Sequence, residues 1–171
     1  MTDTSAGNAA PTRCALGLGS NIGDTRAHLD KAVECLGATD GITVVARSSD
    51  YRTPPWGPVS QDDFRNMCLL VDTTLPPRKL LECCLAIEAE IGRVRDIRWG
   101  PRVIDIDVLL YGAQTVDEPD LELPHPRMGE RAFVLVPLSE IWPDAPLADG
   151  RTASEALLTC PDLEGVVKLE A

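Results

Sequence analysis

The run Arg98-Trp99-Gly100-Pro101-Arg102-Val103-Ile104-Asp105-Ile106-Asp107 holds the densest chemistry in the chain. Side chains two apart on a strand share a face. A strand over 103–111 therefore puts Asp105 and Asp107 together and turns Ile104, Ile106 and Val108 to the other side. Neighbouring carboxylates repel, and Asp is depleted from strands. A hard divalent cation between them makes the pair favourable, and Mg²⁺ takes one or two protein carboxylates together with phosphate oxygens and water. Arginines just upstream suit the phosphates, because a planar guanidinium pairs with two oxygens at once. The alternative is a solvent-facing strand with a salt-bridged rim. The attached Trp99-Gly100-Pro101-Arg102 corner favours the metal reading.

Charge distribution points the same way. The net charge is −11, yet Arg93, Arg95, Arg98 and Arg102 put four of the sixteen basic residues into ten positions. That pattern suits a small anionic ligand and excludes the basic stripe of a nucleic-acid surface. The 171 residues allow one domain, with 1–12 as a disordered leader, 13–142 as the domain proper and 143–171 as its C-terminal tail. The leader lacks the basic and apolar regions of a signal peptide, and no apolar run approaches the roughly eighteen residues of a membrane span. The expectation is a cytoplasmic monomer with no nucleic-acid or membrane partner. Cys14, Cys35, Cys68, Cys83, Cys84 and Cys160 show no C-x-x-C spacing and lie mostly in apolar runs. They read as buried reduced thiols, not as a disulfide framework or zinc site.

The elements that must position these residues follow from periodicity. An apolar run from Cys14 ends in Gly19-Ser20-Asn21-Ile22-Gly23-Asp24, which reads as strand, turn and helix start. Asp24 serves as N-cap, and Leu29, Ala32, Val33 and Leu36 follow at helical spacing. Strands are expected over 42–51 and 64–74, joined by an ordered Pro-rich loop over 53–63. Pro76-Pro77 opens a second helix that ends at Gly92. A second long loop over 93–101 leads into the carboxylate strand. The order β-α-β-β-α-β is the split βαβ pattern of a ferredoxin-like α/β (α+β) sandwich, an antiparallel sheet with helices on one face. The other face is then left for ligand. Ala132–Ile141 fits either a short helix or a strand, and the tail shows no motif. Leu18-Gly19-Ser20-Asn21 lacks the lysine of a P-loop and the spacing of a dinucleotide fingerprint. It reads as support for the sheet end, packed near the loop at Thr53.

Five strings occur in one order over about 16–141: L-G-S-N-x-G-D; Y-R-T-P-P-x-G-P with Q-x-D-F-x-N; I-E-x-x-x-G-R-x-R; R-W-G-P-R-x-I-D-I-D; and L-P-H-P with R-x-F-V-L-x-P-L. Together they resemble 6-hydroxymethyl-7,8-dihydropterin pyrophosphokinase of folate biosynthesis. The resemblance implies transfer of pyrophosphate from ATP to the pterin hydroxymethyl group with release of AMP, and two Mg²⁺ ions held by Asp105 and Asp107. It also places Glu88 at the adenosine ribose, His125 against ATP phosphate and Arg131 at the nucleotide. Phe64 and Phe133 fall where the family stacks an aromatic on the pterin, and Thr53, Pro54, Pro55, Asn66 and Trp99 belong to the same pterin site.

The residue chemistry narrows these roles. Phosphoryl-type transfer needs mostly positioning and charge neutralisation. Arg102, fixed by Pro101 beside the metal strand, is expected at phosphate oxygens. Arg93 and Arg95 follow Gly92 and are expected to close over bound ATP, Arg93 as a catalytic group with Arg102 and Arg95 as an ATP ligand. Asn66 offers both a donor and an acceptor to the pterin amide. On periodicity alone, Glu88 is an ordinary exposed helix carboxylate. For Phe64 and Phe133 the alternative to stacking is a core position, since aromatics bury well anywhere. Trp56, Asp120 and Glu122 depart from the family pattern, the last two on the nucleotide side. A non-catalytic ferredoxin-like module would not keep the costly acidic pair. An RNA-binding sheet of the same topology is opposed by the net charge and by the absence of paired sheet aromatics.

Overall fold

A computed structural model describes residues 10–55, 57–92 and 101–170. Strand β1, Thr12–Ser20, lies inside the sheet, pairing antiparallel with β4, Phe64–Thr73, on one side and with β5, Asp105–Tyr111, on the other. Strands β2, Ile42–Arg47, and β3, Tyr51–Thr53, lie end to end along the outer edge of β4. Helix α1, Thr25–Gly37, follows β1, and α2, Pro77–Ile91, follows β4. With β2 and β3 taken as one strand, this is the expected βαββαβ order and an antiparallel ferredoxin-like sheet.

The helices form where sequence chemistry allows. Asp24 accepts from the backbone N–H of Ala27, satisfying one donor at the start of α1. Pro77 opens α2 where no N–H is needed, and Gly92, at φ 117, closes it in the left-handed region. Leu29, Ala32 and Leu36 of α1 and Leu80, Cys84 and Ile87 of α2 are buried against Leu16, Leu18, Met67, Leu69, Ile104 and Ile106. Each large aliphatic side chain so buried contributes roughly 1.5–3 kcal/mol.

Three boundaries differ from expectation. The strand over 42–51 breaks at Ser48, whose hydroxyl takes the Cys68 N–H that a continuous strand would have paired with a carbonyl. The carboxylate strand starts at Asp105 instead of Val103, because the ladder with β1 ends at the Gly19–Asp105 pair. Arg102 pairs instead with the Asn21 turn: its N–H donates to Asn21 Oδ1 and its carbonyl accepts from the Asn21 N–H. Gly19 and Ser20, expected in a turn, complete β1, and the turn begins at Asn21.

The second face of the sheet is not wholly open to ligand. Ala132–Ile141 is a helix, α3, and it packs on β4. Ala15, Cys68, Leu70 and Leu109 of the sheet are buried with Leu135 and Leu138 of α3. Helix α4, Ala153–Leu158, adds Ala153 and Ala156 to that second core, and Ala145, Leu147 and Cys160 join it. Between β5 and α3 lies a hairpin of β6, Val116–Glu118, and β7, Leu121–Leu123. A last strand, β8, Val167–Lys168, pairs with β3. Among the described residues, Gly19, Asn66 and Asp105 at the end of the sheet line a cleft on this second face. The cysteines pack as apolar residues, and burial pushes the Cys14 thiol up to about 12.

Candidate active site

Register builds the floor of the site. Gly19 stands opposite Asn66 on β4 and Asp105 on β5, and Gly17 stands opposite Cys68 and Asp107. Asp105 and Asp107 do share one face, while Ile104, Ile106 and Val108 are buried behind it in the helix-side core. A cleft of about 230 Å³ opens over this floor. It brings together Thr53, Pro54, Phe64, Asn66 and Phe133 with Arg102, Asp105, Asp107, His125 and Arg131. A second cleft of about 520 Å³ adjoins it between α2 and the β6–β7 hairpin, walled by Leu81, Leu85, Val108 and Leu121. Arg102, Asp105, Asp107 and His125 line both.

The carboxylates carry unequal surroundings. Burial, and then the charge of Asp105, push the Asp107 carboxyl well above the ordinary carboxylate range, with Arg131 and Arg102 opposing. Asp105 is joined to the Arg102 guanidinium at 3.3 Å, each side chain 25% exposed. Arg131 is buried, and burial lowers its pKa against the pull of Asp107. Its guanidinium lies 5.5 Å from the centroid of the Phe133 ring.

His125 is held from both sides. Its N–H donates to the Leu109 carbonyl at 2.9 Å, and its Nδ1 accepts from the Arg127 N–H at 3.2 Å. Nδ1 is thus the acceptor, and the proton of the neutral ring sits on Nε2. Burial, Arg131 and Arg127 push the imidazole down to about 4, so it is uncharged near neutrality. Glu88 is not the exposed helix carboxylate that periodicity suggests. It is 2% exposed, and its Oε2 accepts the Ile106 N–H of the edge strand β5 at 2.7 Å. It also lines the second cleft, as do Asp120 and Glu122 of the hairpin.

On the other side, Asn66 Nδ2 donates to Thr53 Oγ1 at 2.6 Å, which fixes the carboxamide. Pro55 departs from expectation: it faces a neighbouring hollow shared with the C-terminal turn at 162–166, not the cleft of Asn66. Arg93, Arg95, Arg98, Trp99 and Trp56 lie outside the described residues. Two residues read from the sequence only as support for the sheet end belong to the site itself. Gly19 lines the first cleft, and a glycine inside a strand was the available signal. Asn21 is a buried clamp: besides Arg102, it donates from Nδ2 to Gln61 Oε1 and to the Asp62 carbonyl, tying the Pro-rich loop to the start of the carboxylate strand. That contact agrees with the expectation that the Leu18-Gly19-Ser20-Asn21 string packs near this loop.

Comparison with known proteins gives a consistent set of relatives. Residues 15–143 match the family model of 7,8-dihydro-6-hydroxymethylpterin-pyrophosphokinase. The chain is 58% identical over 159 residues to a 2-amino-4-hydroxy-6-hydroxymethyldihydropteridine pyrophosphokinase of Methylorubrum extorquens, covering 93% of this chain and 99% of that protein. It is 44% identical over 157 residues to the protein of the same description from Pseudomonas aeruginosa, covering 92% and 96%. Among solved structures, a Plasmodium falciparum HPPK-DHPS shares the fold at a TM-score of 0.73 and 14% identity. That match covers 94% of this chain and 48% of the other, so this chain spans about half its length.

Proposed function

The chain belongs to the 7,8-dihydro-6-hydroxymethylpterin-pyrophosphokinase family, and from that premise we propose that it transfers pyrophosphate from ATP to 6-hydroxymethyl-7,8-dihydropterin in folate biosynthesis. The pterin hydroxymethyl oxygen attacks the β-phosphorus. The bond from that phosphorus to the oxygen bridging the α-phosphorus breaks, AMP leaves, and the hydroxyl proton is lost. The observation that carries the reading is the position of Asp105 and Asp107 on the wall common to two clefts. One cleft has the aromatic rings and the fixed carboxamide that a flat heterocycle needs, and the other is apolar on the α2 side.

Within this reading Phe64 and Phe133 stack on the pterin, and Asn66 with Thr53 and Pro54 reads its polar edge. Glu88, Arg95, Arg102, His125 and Arg131 serve the nucleotide, with His125 a neutral Nε2–H donor to phosphate. Arg93 and Arg102 stabilise charge on the transferring group. For Arg93 and Arg95 the assignment rests on the resemblance and on their place in the arginine-dense segment after Gly92, and for Trp99 on the resemblance alone. Asp105 and Asp107 would hold Mg²⁺, two ions by the resemblance, supplying charge neutralisation to the triphosphate. The donor set fits a divalent cation: two adjacent carboxylates, one driven toward its neutral form by burial and repulsion. We take residues 13–142 as the catalytic domain and the tail as part of it, supported by tail residues Ala145, Leu147 and Cys160 in the second core. Among the described residues no helix is long and apolar enough to cross a membrane. We assign a monomer, and we place it in the cytoplasm on its free cysteines.

The test is a product assay with ATP, Mg²⁺ and 6-hydroxymethyl-7,8-dihydropterin that separates AMP from ADP. AMP formed in step with the pterin diphosphate supports pyrophosphoryl transfer, and ADP would indicate an ordinary kinase. Omission of Mg²⁺ should abolish both products.

A further inference from the structure

Glycine weakens a strand, and β1 is paired on both sides. It nevertheless carries Gly17 and Gly19 on the face that bears the site. Backbone conformation does not explain Gly19, which is absent from the glycines of positive φ. Space does. A Cβ built on Gly19 would stand 2.3 Å from Asn66 Oδ1, a separation that real structures do not tolerate. The same construction at Gly17 meets only the Leu109 side chain, at an ordinary 3.4 Å. The demand for glycine is therefore local to Gly19 and has a single cause, the Asn66 carboxamide.

The geometry points to Gly19 as a positioning residue for pterin recognition, an assignment that rests on the pterin reading of this cleft. Its missing side chain lets the Asn66 carboxamide lie across β1 with Oδ1 over the glycine and Nδ2 on Thr53 Oγ1 at 2.6 Å. So placed, Asn66 keeps one N–H to give, and Thr53, already an acceptor, keeps its O–H as a donor. The two side chains together present a fixed donor and acceptor edge beside Phe64. An alanine at position 19 would push the carboxamide off β1, break the Thr53 bond and swing the amide into a cleft of only about 230 Å³. The atom that must yield is the tip of a side chain, so the fold absorbs the change while recognition does not.

A double-mutant cycle tests this. Gly19→Ala, Asn66→Ala and the double variant are titrated with 6-hydroxymethyl-7,8-dihydropterin in the presence of Mg²⁺ and a non-hydrolysable ATP analogue. Affinity for the analogue and melting temperature are measured alongside. Each single substitution should weaken pterin binding about tenfold, the scale of one lost hydrogen bond in a closed site. In the Asn66→Ala background, Gly19→Ala should add less than about twofold, because the group it displaces is gone. Analogue affinity and melting temperature should hold in Gly19→Ala. Additive losses, a silent Gly19→Ala, or one that loses the analogue and the fold as well, overturn the inference while leaving the pterin site standing. Unchanged pterin affinity in Asn66→Ala overturns the pterin assignment itself, and the role of Gly19 with it.

Discussion

Replacing Asp107 by asparagine should make the protein more stable and nearly inactive, a pairing of signs that follows from the surroundings of this carboxylate. Burial and Asp105 hold its pKa above the unfolded value. Such a group contributes stability only while protonated, and that contribution is lost as pH rises through the folded pKa. Each unit of elevation costs about 1.4 kcal/mol once the group is ionised. Because Asp107 shares its charge with Asp105, feels Arg131 and Arg102, and opens on the cleft, the net cost above neutrality is on the order of 1–3 kcal/mol. The amide of Asp107→Asn keeps the shape without the charge. Thermal melts without Mg²⁺ at pH about 8 should therefore rise by roughly 3–8 °C for a domain of this size. The gain should shrink as pH falls into the ordinary carboxylate range, where both side chains are neutral. Turnover to AMP should fall by at least about a hundredfold, as for loss of one charge stabiliser. A variant that melts lower than wild type at pH about 8, or keeps more than about a tenth of its turnover, would refute the reasoning.

Three further outcomes are expected. Phe133→Ala should weaken pterin binding by roughly 1–3 kcal/mol, the scale of one lost aromatic stack, and leave nucleotide affinity unchanged by calorimetry; equal loss of both would make Phe133 a core residue. His125 is held neutral, with a folded pKa of about 4 against 6.5 unfolded, so its contribution is lost as pH falls through that window. His125→Gln should consequently lose about 1–3 kcal/mol less stability than wild type between those limits in denaturant titrations, and parallel curves would contradict the buried neutral ring. Gly165 lies where a Cβ would stand 2.7 Å from Pro54 Cγ, so Gly165→Val should press the tail turn on the pterin corner. Pterin affinity should drop several-fold with ATP affinity intact, and a loss of about 1–3 kcal/mol in stability is the cost of overpacking; unchanged pterin affinity would detach the tail from the site.

The alternation of Ile104, Asp105, Ile106 and Asp107 by itself determined which residues face the site, because strand periodicity allows no other sorting once one face is buried. Capping chemistry did the same for the helices: Asp24, Pro77 and Gly92 mark ends that the structure keeps to within a residue. The sequence could not reveal events between elements far apart in the chain. The break at Ser48 depends on Cys68, the start of β5 depends on Asn21, and the burial of Glu88 depends on the edge position of β5 in the sheet. Periodicity weighs a residue against its own element, whereas a buried polar group is decided by whichever distant partner satisfies it. The cover over the second face is of this kind as well, since nothing local in 143–171 says that its alanines and leucines find a sheet already half built. Gly19 shows the limit most plainly. The chain states that a glycine is there, but only the fold brings Asn66 to within one methyl group of it, and so supplies the reason.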